Sequence, residues 1–377
     1  FTFGSLLVAV QVAGGQYTPR IIATTFLRDN SIRFTVAYFV FTMLFTLRVS
    51  SRMGNEMVHQ FNTWMAGVLG LFSIAIFLYL IDYAARMLRP VSIVQRVGKS
   101  GIAVIQSVYP ESNAHPRPEA SSGRPASPDR AVANAGASGI VLAVDIEGLA
   151  AKALHAGGMI EFVPQVGDFV AMDEPLFLLY GGAGALDDRE LQAAVALGSE
   201  RTLEQDPTFA FRILVDIAIK ALSPAINDPT TAVLAIDQIH RLLRVVGLRH
   251  VSREEILDES GKPRLVFRTP NWEDFVHLAC TEIRHCGAGS VQITRRMRSM
   301  LENLVQTLPA HRHPELYKQV DLLDRAIEEH YSFAEDRALA RIADPQGLGG
   351  TLGVQAAGRV RTDAAALQLG TGVDRAC

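Results

Sequence analysis

Two long runs without charged residues constrain this chain more than any other feature. Residues 34–47 (FTVAYFVFTMLFTL) and 64–81 (WMAGVLGLFSIAIFLYLI) contain no Asp, Glu, Lys or Arg. A helix rises ~1.5 Å per residue, so about 20 apolar residues cross the hydrocarbon core of a bilayer. The second run approaches this length, and the first does so once Ile32 and Val49 are included. We predict two membrane-spanning helices, the alternative being a buried helix pair in a soluble protein.

A shorter apolar segment at residues 3–13 is interpreted as the end of a spanning helix. Because the chain opens with Phe1 inside this segment, we expect the transmembrane region to be N-terminally truncated. Cations flank the two longer runs: Arg20, Arg28, Arg33, Arg86, Arg89, Arg96 and Lys99. The loop at 49–62 is only weakly charged. The positive-inside rule therefore predicts a multi-pass protein of the cell inner (plasma) membrane with a cytoplasmic C-terminal region.

Charge and cysteine content exclude several functional classes. The formal net charge is -3, with no basic surface of the kind that binds nucleic acid, so we predict no nucleic-acid partner. The three cysteines, Cys280, Cys286 and Cys377, have no metal-binding spacing and are expected to be reduced. Neither a P-loop nor a dinucleotide-binding fingerprint is present.

After the membrane region the composition changes twice. Residues 110–137 are rich in Pro, Ser, Ala, Arg and Gly, which is typical of a disordered linker. Short β-like segments follow, with a tight turn at Gly167 and Asp168. Their order resembles half of a lipoyl-type or barrel-sandwich module. In carrier modules of that type a lysine occupies a hairpin tip, but the matching turn, residues 171–174, reads AMDE. We therefore predict no cofactor and a structural or docking role for this module.

In the remainder of the chain the apolar residues recur at helical spacing, so we predict mainly helices, with a short strand at 264–268. The fold class predicted is a mainly α membrane protein with N-terminal transmembrane helices, a small β barrel-sandwich-like module and a cytoplasmic α-helical domain. The expected boundaries are 1–101 for the transmembrane region, 102–137 for the disordered linker, 138–182 for the β module, 183–343 for the helical domain and 344–377 for a disordered tail.

Polar residues concentrate in one stretch of the helical domain, residues 221–232 (ALSPAINDPTTA). Asp228 is a favourable N-cap and Pro229 suits the first position of a helix. Asp206-Pro207-Thr208 repeats this chemistry, which favours a capping role for both. The density of polar groups nevertheless makes this stretch the candidate ligand-binding region, with the residues Ser223, Asn227, Asp228, Thr230 and Thr231.

Enzymatic and metal-binding interpretations are less well supported by the sequence. Residues that could act as a general acid or base are present: Asp237, His240, His277 and His285. Ser223, however, precedes a proline and lacks the nucleophile-elbow motif, so we predict no catalytic residue. A metal site would have to draw on His311 with His313, or on a second set: His277, Glu282 and His285. We predict no metal.

Residues 211–232 (FRILVDIAIKALSPAINDPTTA) resemble the most recognisable segment of the bacterial domain-of-unknown-function 2254 family of predicted membrane proteins. Weaker similarity covers 16–20, 26–29, the VGDFV turn and the helices from Trp272 to about His330. Ala225 departs from the family pattern, where glycine is expected. The resemblance implies four membrane helices, the first missing and the second cut here, followed by a cytoplasmic region. It implies no known activity.

Two non-enzymatic functions follow from these features. In the first, the cytoplasmic region binds a small molecule or a protein partner and acts in sensing or regulation. In the second, copies of the chain form a homo-oligomeric channel or transporter. The spans offer only hydroxyl groups to line such a path: Thr35, Tyr38, Thr42, Thr46 and Ser73. We therefore predict the first function, with the lipid bilayer and a small molecule of unidentified class as partners. A membrane-bound hydrolase is the third hypothesis.

Overall fold

The computed structural model of the protein describes residues 30–52, 60–87, 89–110, 127–251 and 255–349. The chain divides into two compact units, one of residues 1–95 with 224–226 and one of residues 96–223 with 227–377. The apolar segment at 3–13, Arg20 and Arg28 lie outside the described residues. Mostly helical structure with small sheets agrees with the predicted fold class.

The two uncharged runs form the first two helices, α1 (Asn30–Arg52) and α2 (Gln60–Met87). Only 17% of the apolar part of α1 and 6% of that of α2 are buried. Large side chains are exposed along both, among them Phe34 and Leu71. Such low burial does not fit the alternative of a buried helix pair, whereas a bilayer would cover these side chains. Both helices are long and apolar enough to span a membrane.

The predicted linker begins too early. Helix α3 (Pro90–Val108) continues past residue 102, because Ile105 and Tyr109 are buried in the second unit. Gly101 lies so close to the next helices that a Cβ there would be 2.8 Å from the Ala210 side chain. At the other end, strand β1 (Arg130–Ala133) falls before the predicted end of the linker at 137. Residues 111–126 lie outside the described part of the chain.

The β module has more strands than its predicted bounds contain. Strands β2 (Gly139–Val144), β3 (Gly158–Phe162), β4 (Phe169–Val170) and β5 (Pro175–Gly181) lie within those bounds. Strand β6 (Val195–Gly198) and the pair β7 (Glu255–Leu257) and β8 (Pro263–Phe267) come from the predicted helical domain. One sheet has the order β1-β5-β3-β8-β7 and the other β4-β2-β6. A barrel-sandwich arrangement remains a prediction of the sequence.

Long-range pairing explains why the boundaries predicted from the sequence are too narrow. β8 runs parallel to β3, with Ile160 opposite Leu265, although about a hundred residues separate them. Both of these side chains are fully buried in one apolar cluster with Leu149 of α4 (Ile146–His155) and Leu191 of α5 (Asp188–Gln192). This register buries one face of β8. A prediction from the local sequence alone cannot detect that burial.

Six further helices follow: α6 (Pro207–Ala221), α7 (Pro229–Gly247), α8 (Trp272–Gly287), α9 (Val291–Thr307), α10 (His313–His330) and α11 (Ala334–Ala340). Phe211 and Phe275 pack at a ring separation of 5.3 Å and are fully buried. Two short 3-10 helices, Gly182–Ala185 and Ala310–Arg312, complete the described elements.

The start of the predicted disordered tail is held against α9. The Asp344 N–H donates to the Arg295 carbonyl at 3.2 Å, and Gln292 Nε2 donates to the Gly347 carbonyl at 2.6 Å. The Asp344 carboxylate in turn accepts the Gly349 N–H at 2.7 Å. Residues 344–349 are therefore ordered, because they satisfy polar groups of the helix and of the segment itself. Residues 350–377 lie outside the described residues.

Candidate functional site

The predicted ligand-binding stretch is a tight connection between α6 and α7. The Asn227 N–H donates to the Ser223 carbonyl and the Asp228 N–H to the Ala221 carbonyl, both at 2.8 Å. Asn227 adopts a left-handed conformation with φ of 49°. Asparagine tolerates this region better than other residues with a side chain. The backbone thus reverses within a few residues and begins α7 at Pro229.

Asp228 caps α7, as its position predicts. Its Oδ1 accepts the Thr231 N–H at 3.0 Å, and its Oδ2 accepts the Thr231 hydroxyl at 2.5 Å. The Ser223 hydroxyl donates to the Lys220 carbonyl at 2.7 Å. The side chains of Ser223, Asp228 and Thr231 therefore bond locally, where the connection meets the ends of α6 and α7.

The remaining candidates, Asn227 and Thr230, are exposed. None of the five candidate residues lines the cavities of about 640 and 520 Å³ that are described below. The structure brings Asp228 and Thr231 into direct contact and joins Ser223 to Asn227 through the backbone. Ligand binding by these five residues remains a prediction.

The acid–base and metal-site alternatives are not assembled. His240 Nε2 lies 2.9 Å from Asn303 Oδ1, and the Ser223 hydroxyl is engaged at Lys220. Glu282 pairs with Arg212, and that interaction lowers the pKa of its carboxyl. Within the described ranges, no group of three or more His, Cys, Asp or Glu side chains is arranged to hold a metal ion.

A cavity of about 640 Å³ lies within the second unit. The end of α3, the junction of β2 with α4, the start of α6 and the segment after β8 surround it. Its apolar lining includes Val108, Val144, Ile146, Phe162, Val166, Pro207, Ile256, Phe267 and Pro270. Small-molecule sites are typically roughly 300–1,000 Å³ and mainly apolar, with a few polar groups that fix orientation. In size and composition the cavity fits that description.

Tyr109 and Asp206 are the buried polar residues of this lining, each only 3% exposed. Among the described residues the Tyr109 hydroxyl and Asp206 Oδ2 have no hydrogen-bond partner. Arg201 Nη1 is 3.7 Å from Asp206 Oδ2, beyond hydrogen-bond distance. Surrounding protein atoms cover both oxygens, so they are unsatisfied groups within the wall and not on the surface of the cavity.

The other oxygen of Asp206 has a structural role. Asp206 Oδ1 accepts the Phe209 N–H at 3.1 Å and the Thr208 hydroxyl, so the carboxylate caps α6 as Asp228 caps α7. The cap fixes the carboxylate, and its Oδ2 forms an ion pair with Arg201 next to Gly167.

Burial controls the protonation of both side chains. Desolvation raises the pKa of Asp206, against the lowering effects of the Thr208 hydrogen bond and of Arg201. Burial also raises the pKa of the Tyr109 hydroxyl, with a smaller contribution from the negative charge of Asp206. Tyr109 therefore remains a neutral phenol, able to donate one hydrogen bond and to accept others.

The polar side chains around these two are held in place. Gln205 Oε1 accepts the Val144 N–H at 3.0 Å, and the Thr269 hydroxyl donates to the Val251 carbonyl at 3.0 Å. Asp145 caps α4 through the Gly148 N–H at 3.0 Å. The walls are thus preorganised by secondary-structure ends.

A second cavity, of about 520 Å³, lies beside β2 and β6. Its buried polar residue, Asn134, donates to the Ala137 and Ala171 carbonyls at 3.2 Å and accepts the Gly136 N–H at 3.1 Å. The Asn134 amide is therefore already hydrogen-bonded and has a structural role in the wall of this cavity.

Comparison with known proteins supports the membrane assignment. The family model described as "Predicted membrane protein (DUF2254)" matches residues 1–303. The chain belongs to this family. Uncharacterized proteins of Mycobacterium bovis and Mycobacterium tuberculosis are 25% identical over 349 residues, which is 89% of this chain and 67% of theirs. No solved structure matches the chain.

Membership of the family confirms the resemblance seen in residues 211–232, but the sequence does not indicate the cavity of this DUF2254 protein. Tyr109 falls within the predicted linker, and the sequence marks Asp206 only as a cap. The Asp-Pro-Thr repeat does identify Asp206 as a fixed carboxylate, whereas no local signal marks Tyr109 as part of a cavity.

Proposed function

We propose that this protein is a multi-pass protein of the bacterial inner membrane whose C-terminal region lies in the cytoplasm and binds a small molecule in the 640 Å³ cavity. In this view α1 and α2 anchor the chain, and the second unit acts as a sensing or regulatory module. The observation that carries the proposal is the cavity itself, whose volume and largely apolar lining with a few polar side chains, such as Gln205 and Thr269, are those of small-molecule sites.

A channel is less well supported by the same structure. The hydroxyls of Thr35, Thr46 and Ser73 donate to backbone carbonyls of their own helices at 2.7, 2.8 and 2.9 Å. Tyr38 donates to the Leu69 carbonyl at 3.1 Å. These hydroxyls are engaged and do not offer a polar path. Among the predicted path residues in the described helices, only the Thr42 hydroxyl is buried without a partner.

A cavity-filling variant tests the binding function. Ala196 lies on β6 and lines the cavity, so Ala196→Trp reduces its volume. Ala131→Trp is the matched control, because Ala131 is exposed on another edge strand, β1. The full chain, purified in detergent, would be screened for thermal stabilisation by a panel of metabolites that includes cationic, neutral and anionic compounds.

We expect at least one compound to raise the Tm of the wild type and of Ala131→Trp but not that of Ala196→Trp. A ligand at a hundred times its Kd stabilises by about 2.7 kcal/mol, which such a screen detects. The proposal fails if no compound stabilises the wild type, or if Ala196→Trp responds as the wild type does.

Cysteine labelling tests the orientation. In a Cys377→Ser background, an impermeant maleimide is expected to label the exposed Cys286 only after spheroplasts are permeabilised. Ser51→Cys places a thiol at the end of α1 that is expected outside the cell, and it should react in intact spheroplasts. Labelling of Cys286 in intact spheroplasts would reverse the proposed topology.

A further inference from the structure

The charged side chains of the 640 Å³ cavity are not placed to receive an ion. Asp145, Glu147 and Arg268 are exposed to solvent, whereas Asp206 is the buried charged residue of the lining. Protein atoms cover Asp206 Oδ2, which forms an ion pair with Arg201, and Oδ1 caps α6. Among the described lining residues, no charged side chain is therefore both shielded from water and open to a ligand.

This placement disfavours a ligand of either charge. An ion that enters an apolar site loses its hydration, and only a partner that is also shielded from water compensates that loss. Ion pairs with exposed side chains contribute little, because water screens the attraction. The exposed carboxylates and the exposed guanidinium of the lining therefore do not offset the cost of burying a charge.

The accessible walls of the cavity are apolar and are supported by the core. Four half-buried side chains both line the cavity and pack against the apolar cluster that contains Leu149 and Ile160: Ile146, Val166, Ile256 and Phe267. The half-buried polar residues of the lining include Gln205 and Thr269, whose side chains are neutral. The surface offered to a ligand is thus mainly hydrocarbon, with uncharged groups that form hydrogen bonds.

We propose that the cavity selects an uncharged, mainly apolar molecule and rejects organic cations and anions of the same size. This inference rests on the proposed binding function and specifies the class of its ligand. Burial of hydrocarbon surface provides the affinity, and Gln205 and Thr269 are the residues that hydrogen-bond a neutral hydroxyl or carbonyl group. Such a ligand leaves no buried charge without a partner.

Three naphthyl compounds of nearly equal size separate charge from shape: 2-(1-naphthyl)ethanol, 2-(1-naphthyl)ethylammonium and 1-naphthylacetate. Each would be titrated into the full chain in detergent, with binding followed by saturation-transfer NMR. The signal of Ala196→Trp at the same detergent concentration would be subtracted, because it contains partition into the micelle without binding in the cavity. We expect the alcohol to bind at least about tenfold more tightly than either ion.

Two further variants separate loss of the cavity from loss of the fold. Ala131→Trp, outside the cavity, should bind the alcohol as the wild type does. Should Ala196→Trp fail to fold, Ala193→Trp serves instead, since Ala193 is also exposed and also lines the cavity.

The exposed charges of the lining are tested by their removal. Arg268→Gln and Glu147→Gln should change the affinity for each probe by no more than about threefold, because exposed charges hold a ligand only weakly. Tight binding of 1-naphthylacetate that is lost in Arg268→Gln would instead assign the cavity to an anion. Tight binding of the ammonium compound that is lost in Glu147→Gln would assign it to a cation.

The outcomes separate this inference from the function on which it rests. An ion that binds as tightly as the alcohol and loses its binding in Ala196→Trp would overturn the neutral preference and leave the binding function intact. If none of the three probes binds but a metabolite stabilises the wild type, an uncharged metabolite supports the inference and a charged one overturns it. If no probe binds and no metabolite stabilises the wild type, both proposals fail.

Discussion

The carboxylate of Asp228 binds Thr231 twice, through the backbone N–H at 3.0 Å and through the hydroxyl at 2.5 Å. This contact begins α7 and immobilises the polar stretch that the sequence marks as most distinctive. We expect Asp228→Ala to lower the free energy of unfolding by about 1 kcal/mol, because the cap is lost, and Asp228→Asn to cost much less. Thermal unfolding of the purified chain in detergent measures both. Equal stability of Asp228→Ala and the wild type would show that the cap is not a stabilising contact.

The left-handed backbone of Asn227 gives a second prediction. Asn227→Val should destabilise by roughly 1–2 kcal/mol, because a β-branched side chain clashes with the backbone at φ of 49°. Asn227→Gly should be close to neutral, since glycine adopts this conformation freely. Ala225→Val is the control: Ala225 is exposed in the same connection and has no positive φ. A similar loss in Ala225→Val would assign the effect to the connection as a whole.

His240 should make stability depend on pH. Burial, followed by the charge of Arg296, lowers the pKa of its imidazole, while the hydrogen bond with Asn303 and the charge of Asp237 oppose the shift. In the window below about 6.5 the unfolded chain binds a proton that the folded chain does not, so stability falls as pH falls through the folded-state pKa. His240→Gln should reduce this dependence.

The comparison for this prediction is His285→Gln, because His285 is exposed on α8. Tm would be followed from pH 8 to pH 5 for the wild type and both variants. A slope for His240→Gln that equals that of the wild type would contradict the assignment.

The two described cysteines should differ in reactivity. Burial raises the pKa of the Cys280 thiol to about 12, while Cys286 is exposed. Because the thiolate is the reactive form, iodoacetamide at pH 8 should modify Cys286 in the folded protein and reach Cys280 only after denaturation. Peptide mass spectrometry in a Cys377→Ser background measures this. Modification of Cys280 in the folded chain would indicate that α8 opens locally.

Local signals in the sequence determine much of this fold. The uncharged runs predict α1 and α2, and Asp-Pro-Thr predicts the starts of α6 and α7. The segment at 211–232 indicates the family. Each of these properties depends on neighbouring residues alone, through helix length, capping or composition.

Only the tertiary structure decided the rest, because it depends on contacts between distant segments. The strand β8 joins a sheet far from it in sequence, and burial of Ile105 and Tyr109 extends α3 into the predicted linker. The cavity is bounded by seven separate stretches of the chain, so Tyr109 and Asp206 contribute to its lining without any shared sequence pattern. The sequence by itself determined that two helices are long and apolar enough to span a membrane, and where α6 and α7 begin. Packing alone decided which polar atoms are left unbonded, since burial and hydrogen bonding are properties of the assembled structure.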